Sequence, residues 1–306
     1  MHIVVMGAGG VGGYFGAKLV RAGERVTMVA RGAQLEALRR DGLRVRSSVE
    51  GEWLTRPAAV ASLAGQPLAD AVLFCVKAFD TEAAAGALRP VVGPETAVLS
   101  LQNGVDNEDK IDAVLGAGHA LGGAAYVFAT LEAPGVIAHR FGGRIVLGEL
   151  DGRVSPRAER LRDTLAHAGI PAELSTAIRR VLWEKYLFIC AQAGTTAVTR
   201  ARMGVVRDTP ETWRLYRLLL DELAALARAA GVALAPDAVE TIVKTAAGVA
   251  PEATSSLHHD LLAGRRLELE ALHGHAVRLG ARLGVALPTV FAVYAALKPH
   301  AAGGRG

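Results

Sequence analysis

Gly7-Ala8-Gly9-Gly10-Val11-Gly12 forms a G-x-G-x-x-G pattern directly after the apolar run HIVVM. Its context makes it informative: a strand leads in and a helix leads out, as binding of a dinucleotide's phosphates requires. Gly7 permits the tight turn, Gly9 lets the backbone approach a pyrophosphate, and Gly12 lets helix and strand pack closely. The helix N-terminus then faces the negative charge. The alternative is a glycine-rich turn without a ligand. The next strand ends Val29-Ala30-Arg31, without the acid that an NAD site uses for the ribose 2′-hydroxyl. An Arg there can pair with the extra 2′-phosphate of NADP, so the sequence favours NADP; otherwise Arg31 is a solvated loop residue. Lys77 and Asn103 lie just beyond the apolar runs DAVLFCV and TAVLSLQ. These are carboxyl ends of expected strands, where α/β proteins build sites. Asn103-Gly104 is equally a plain turn signal. Lys185, in Trp183-Glu184-Lys185-Tyr186, opens the apolar segment LFICAQAG. It either meets a ligand anion or carbonyl, or snorkels to solvent beside Glu184.

Two kinds of architecture must position these residues. Residues 2–6 and 25–29 read as strands, with helices over 10–22 and 33–40. Further strands are expected at 70–76, 96–101, 120–131 and 143–150, with a helix over 80–88. Short apolar runs alternating with helices imply a parallel sheet covered on both faces. From about Ser175 the pattern is helical almost throughout; Pro171 and Ser175 mark the boundary, with Ser175 as a helix N-cap. The fold class is therefore α/β: an N-terminal Rossmann-type dinucleotide-binding domain over 1–174, then an all-helical C-terminal domain over 175–306. In such a pair a ligand is expected in the cleft between the domains. The Leu/Ala-rich helix over 215–231 is either core or a homodimer surface, and the tail over 301–306 is expected to be flexible.

Composition narrows the classes. The chain has 306 residues, 51% hydrophobic and 21% charged, which excludes disorder and a disulfide-stapled mini-protein. Its 34 basic and 30 acidic residues leave a net charge of +4, and no Lys/Arg run reaches the length of a nucleic-acid-binding segment. Cys75 and Cys190 sit inside apolar runs and read as core residues of a protein from the reducing cytoplasm. No stretch approaches the ~18 apolar residues of a membrane span, and no export signal opens the chain. His258 and His259 lack a third ligand at metal-binding spacing, so no metal is expected.

Taken together, GAGGVGGYFG, Val29-Ala30-Arg31, Val76-Lys77, Gln102-Asn103-Gly104, Trp183-Glu184-Lys185 and SSLHHDLLAGRRLELEALHGH resemble the ketopantoate reductase (2-dehydropantoate 2-reductase) family over nearly the whole chain. The resemblance implies NADPH-dependent reduction of a 2-oxo acid, most simply ketopantoate to pantoate. By the same resemblance Lys185 is the proton donor, and Glu268 orients substrate and borders the cofactor. Ser256 contacts the substrate, and Asn103 lies between nicotinamide and substrate. Lys77 and Arg31 contact the cofactor, and Ala129 lies beside the nicotinamide. On residue type alone, Glu268 is either a partner that keeps Lys185 protonated or a surface carboxylate. Ser256 is either a ligand or a helix cap. The chain departs from the family at Ile189, Ala193 and Met203, where the family carries Asn. Gln192, Thr195 and Thr196 are nearby polar side chains that could replace those amides. Another small oxo or hydroxy acid is therefore the alternative substrate, and a non-catalytic NADP-binding sensor is the alternative from a different class.

Overall fold

The computed structural model describes residues 1–304. The first compact unit spans Met1–Gln102 and Asp106–Ile178. In chain order it contains β1 (His2–Met6), α1 (Gly10–Arg21), β2 (Arg25–Val29), α2 (Gly32–Arg40), β3 (Leu43–Ser47), β4 (Gly51–Thr55), β5 (Ala58–Val60), β6 (Ala71–Phe74), α3 (Thr81–Leu88), β7 (Ala97–Ser100), α4 (Asn107–Leu115), β8 (Ala120–Ala133), β9 (Val136–Glu149), α5 (Pro156–His167) and β10 (Ala172–Leu174). All ten strands join one sheet in the order β4-β3-β9-β8-β7-β6-β1-β2-β5, with β10 on β9. β1 shows why the sheet is covered twice. Ile3 and Val5 enter one core with Phe15 and Leu19 of α1, while Val4 and Met6 enter another with Leu88 of α3 and Ile111 of α4.

The expectation of a purely parallel sheet needs correction. β8 and β9 are antiparallel, as are β3 and β4. The cause is local: only Pro134-Gly135 separates β8 from β9, and Gly135 has φ +77°, so the chain folds straight back as a hairpin. β9 also begins at Val136, well before the expected 143. β3, β4, β5, α4, α5 and β10 are additions to the sequence reading. β3 alternates buried and exposed residues, the usual mark of a half-buried strand. α5 carries a Ser155 cap that accepts from the Ala158 amide, with Pro156 in its first turn. Ser155 and Arg157 also bind Glu149 at 2.6–2.8 Å, which ties α5 to the end of β9 through a buried ion pair.

The second unit comprises Asn103–Val105 and the chain from Arg179 onward. Its helices are α6 (Ile178–Thr199), α7 (Met203–Asp208), α8 (Pro210–Ala229), α9 (Ala238–Ala247), α10 (Ser256–Leu262), α11 (His273–Leu283) and α12 (Pro288–Leu297). Its core gathers Tyr186, Leu187 and Cys190 of α6 with Leu219, Leu220 and Leu223 of α8 and Val290 of α12. The leucine face of α8 is thus taken up by the unit's own core. Ser175 does not cap α6: its hydroxyl accepts from the Ala177 amide in a tight turn ahead of the helix. The tail also differs from expectation up to Gly304. The Leu267 amide donates to Ala301 and the Gly304 amide to Gly264, so this stretch is pinned; Arg305 and Gly306 lie outside the described residues.

Candidate active site

The glycine loop has three distinct local demands. Gly7 sits at φ +101°, where a side chain is strained, and a Cβ there would come within 3.0 Å of the Cys75 and Val76 backbone. A Cβ on Gly12 would lie 2.2 Å from the Gly7 carbonyl oxygen, so this glycine is required for packing. Gly9 is different: its φ of −82° is ordinary, and a Cβ there would meet nothing within 4 Å. No side chain caps the amides of the first α1 turn, for which Gly9 is the N-cap. Open space against uncapped helix amides suits a diphosphate. Gly10 has a role the sequence did not disclose. Its Cβ would fall 2.1 Å from the Ala129 carbonyl oxygen, so α1 rests on the β8 backbone. The fold therefore brings Ala129 against Gly10 despite their separation in the chain.

Arg31 follows β2 as the N-cap residue of α2 and its side chain is 83% exposed. Its Nη2 approaches Oδ2 of Asp80 at 3.5 Å, a contact that no sequence motif signals. Lys77 is exposed and leads into the turn Ala78–Asp80 after β6. A second unforeseen residue is Gln102, which is buried. Its Nε2 donates to the Val76 carbonyl at 3.0 Å and to Thr81 Oγ1 at 2.9 Å, while Thr81 Oγ1 donates to the Ala78 carbonyl at 2.9 Å. Gln102 thereby fixes the end of β7 to the turn that carries Lys77. Asn103 follows it, half-buried, and Gly104 has φ +120°, so the chain bends at the Asn-Gly pair.

In the helical unit Lys185 is half-buried on α6. Glu184 lies 3.8 Å from Arg180, so that carboxylate is engaged by another residue of its own helix. Ile189 and Gln192 follow Lys185 at the spacings that share a helix face. Gln192 Nε2 donates to the Thr254 carbonyl at 2.7 Å, and its Oε1 is buried without a hydrogen-bond partner. Thr195 Oγ1 is likewise buried and unpartnered. Thr196 is committed, bonding the Gln192 carbonyl at 2.6 Å and the Ser255 hydroxyl at 2.9 Å. Of the three positions where Asn is missing, Ala193 and Met203 are core residues and only Ile189 is half-buried.

The Ser-Ser pair divides its labour. Ser255 caps α10 by accepting from the His258 amide at 3.0 Å. Ser256, one residue on, is exposed and is not the cap. Glu268 is 8% exposed in the turn Glu268–Glu270 before α11, so the surface-carboxylate reading does not describe it. His258 Nδ1 pairs with the Thr196 carbonyl and His259 Nε2 with Thr254 Oγ1. Burial pushes the Cys75 thiol up to about 12 and raises that of Cys190 too, so neither is a thiolate nucleophile. Gly7, Ala8, Gly9, Gly10, Val11, Gly12, Arg31, Lys77 and Ala129 belong to the α/β unit; Asn103, Lys185, Ser256 and Glu268 belong to the helical unit.

Two family profiles match the chain: Ketopantoate reductase PanE/ApbA over residues 3–152, and Ketopantoate reductase PanE/ApbA C terminal over residues 177–301. The sequence is 35% identical over 285 residues to the 2-dehydropantoate 2-reductase of Archaeoglobus fulgidus, covering 93% of this chain and 92% of that one. It is 30% identical over 306 residues to the uncharacterized oxidoreductase YkpB of Bacillus subtilis, covering 99% of both. A crystal structure of a PanE/ApbA family ketopantoate reductase from Ralstonia eutropha JMP134 matches with TM-score 0.91 at 32% identity, over 98% of each chain.

Proposed function

The chain belongs to the ketopantoate reductase PanE/ApbA family, and from that premise we propose that it is an NADPH-dependent reductase of 2-oxo acids that converts ketopantoate to pantoate. One observation carries the catalytic part of the reading: a half-buried Lys185 on the apolar segment of α6. The bound dinucleotide supplies a hydride to the substrate's carbonyl carbon. The uncapped α1 amides and the open side of Gly9 hold its diphosphate, and Arg31 and Lys77 attract the 2′-phosphate. The Lys185 ammonium donates a proton to the carbonyl oxygen and stabilises the negative charge developing there, leaving a 2-hydroxy acid. Glu268 orients the substrate. Asn103 and the exposed Ser256 hydroxyl supply its polar contacts. The two free cysteines fit a cytoplasmic protein.

A second reading rests on Ile189, half-buried one helical turn after Lys185, while Ala193 and Met203 are closed into the core. A substrate hydroxyl is recognised by buried polar groups, and an apolar neighbour discriminates poorly in its favour. Ile189 favours a 2-oxo acid with a less polar side chain. NADPH oxidation with ketopantoate, and with 2-oxo acids of similar size lacking the hydroxyl, tests both. The first reading expects ketopantoate to have the highest kcat/KM. Preference for the hydroxyl-free acids supports the second, and NADPH binding without turnover on any acid overturns both in favour of a sensor.

A further inference from the structure

We infer that Asp80 sets how strongly the site distinguishes NADPH from NADH, acting as the counter-charge to Arg31 on the adenosine side of the glycine loop. The inference rests on the dinucleotide reading above. β1 feeds that loop and pairs with β2 on one side and β6 on the other. The loop therefore leaves the sheet between two strand ends. Its backbone joins both: the Ala8 amide donates to the Val29 carbonyl at 3.3 Å, and the Cys75 amide donates to Met6 at 2.8 Å. Arg31 lies beyond the first strand end and Asp80 in the turn beyond the second. The two side chains close to 3.5 Å, with 83% and 39% exposure. Packing does not hold the guanidinium, so a ligand can redirect it.

The consequence is a competition. A 2′-phosphate that reaches Arg31 must displace Asp80 and then lie close to a carboxylate of like charge. A 2′-hydroxyl carries no charge and can donate a hydrogen bond to that carboxylate. This is the role an acid at the end of β2 plays in NAD sites, a position that Ala30-Arg31 leaves without one. Asp80 thus restores an acid from the β6 side. It weakens NADPH binding and strengthens NADH binding, while Arg31 and the neighbouring Lys77 strengthen NADPH binding.

Asp80→Asn removes the charge and keeps the shape. Dissociation constants are measured by calorimetry on the full chain for NADPH and NADH, with 2′,5′-ADP and 5′-AMP as probes of the adenosine half. NADPH and 2′,5′-ADP should bind about two- to fivefold tighter, the scale of an exposed charge pair, and NADH and 5′-AMP about twofold weaker. The gain for NADPH should be smaller in an Arg31→Ala background, which a purely structural effect would not produce. Asp80→Ser carries the same test should the Asn variant melt early. Equal shifts for both cofactors, or a lower NADPH-to-NADH affinity ratio, overturn the role. If Arg31→Ala weakens both cofactors alike, the 2′-phosphate reading and the Asp80 role fall together. If it weakens NADPH alone while Asp80→Asn leaves the ratio unchanged, only the Asp80 role falls.

Discussion

Lys185 and Arg31 make separable demands on binding and chemistry. A general acid contributes roughly 10²–10⁴-fold, so Lys185→Ala should cut single-turnover reduction by at least about 10²-fold. NADPH affinity should hardly change, because the proposed contacts to its diphosphate and 2′-phosphate lie on the other unit. Only the ammonium donates, so the wild-type rate should fall as pH rises through its titration, and the variant should lose that dependence. A near-normal rate at saturating substrate would leave Lys185 a binding residue only. Arg31→Ala should cost about 1.5–3 kcal/mol of NADPH binding, as for a charge-assisted hydrogen bond, and leave NADH nearly unchanged. Titrating both cofactors checks it; equal losses would remove the 2′-phosphate assignment. Residue type and spacing were enough to nominate Lys185, Arg31 and Asn103, and the family resemblance nominated Glu268. Neither could nominate Asp80 or Gln102, whose partners are Arg31 on another strand end and the Val76 carbonyl. Such contacts exist only once β2, β1, β6 and β7 are assembled in one sheet.

Among the elements, the β1–loop–α1 unit separates ligand chemistry from packing, and two neighbouring glycines show it. Gly10→Ala places a Cβ 2.1 Å from the Ala129 carbonyl oxygen, a backbone atom that cannot move aside cheaply. Overpacking of this kind costs about 1–3 kcal/mol or more, so this variant should melt early with or without cofactor. Gly9→Ala meets nothing in the protein and keeps an ordinary φ of −82°. It should melt like the wild type without cofactor and lose most of the stabilisation that saturating NADPH provides, measured as a shift in Tm. An unchanged NADPH shift in Gly9→Ala would mean the open space is not where the diphosphate lies. The outline of β1, α1, β2 and α2 was legible because each is declared by residues within itself. Gly10 was legible only as part of a motif, since its contact is with a strand far along the chain. The mixed character of the sheet is written in Pro134-Gly135, but the first half of β9 carries His139, Arg140, Gly142 and Gly143, which mask its continuity with the apolar run that ends the strand. β3 does carry the alternation of a half-buried strand, whereas β4 offers little to read, since Gly51, Glu52 and Leu54 are all exposed.

At the scale of the whole molecule, two units with separate cores answer acid in opposite directions. In the α/β unit, Glu108 of α4 is buried, and burial pushes its carboxyl up to about 7 against the opposing bonds from its own backbone amide and Ser100. The folded unit therefore holds this proton more tightly than the unfolded chain, whose carboxyl titrates near 4.5. Acidification from pH 7 to pH 5 should stabilise this unit. In the helical unit, His273 is fully buried, its Nε2 donating to the Cys190 carbonyl at 2.9 Å and its Nδ1 without a partner. Burial pushes this imidazole down to about 4, from 6.5 in the unfolded chain. The unfolded state takes up the proton first, so stability is lost as pH falls from 6.5 towards 4. Glu270 does not blur the contrast. Burial opposes its charge, but bonds to Lys298, Tyr294 and Arg278 hold it at about 2, so it remains ionised across this window. The two effects are each on the order of 2 kcal/mol between pH 7 and pH 5. Hydrogen-exchange protection at the two pH values, corrected for intrinsic exchange, should rise in peptides from β1, β6 and β7 and fall in peptides from α6 and α8. Glu108→Gln should abolish the rise and His273→Gln most of the fall, each without altering the other unit's response; the remainder of the fall comes from His259, whose imidazole burial also lowers. Protection that moves in the same direction in both units, or a response that survives its own substitution undiminished, would show that these buried groups do not govern the acid behaviour of the cores that enclose them.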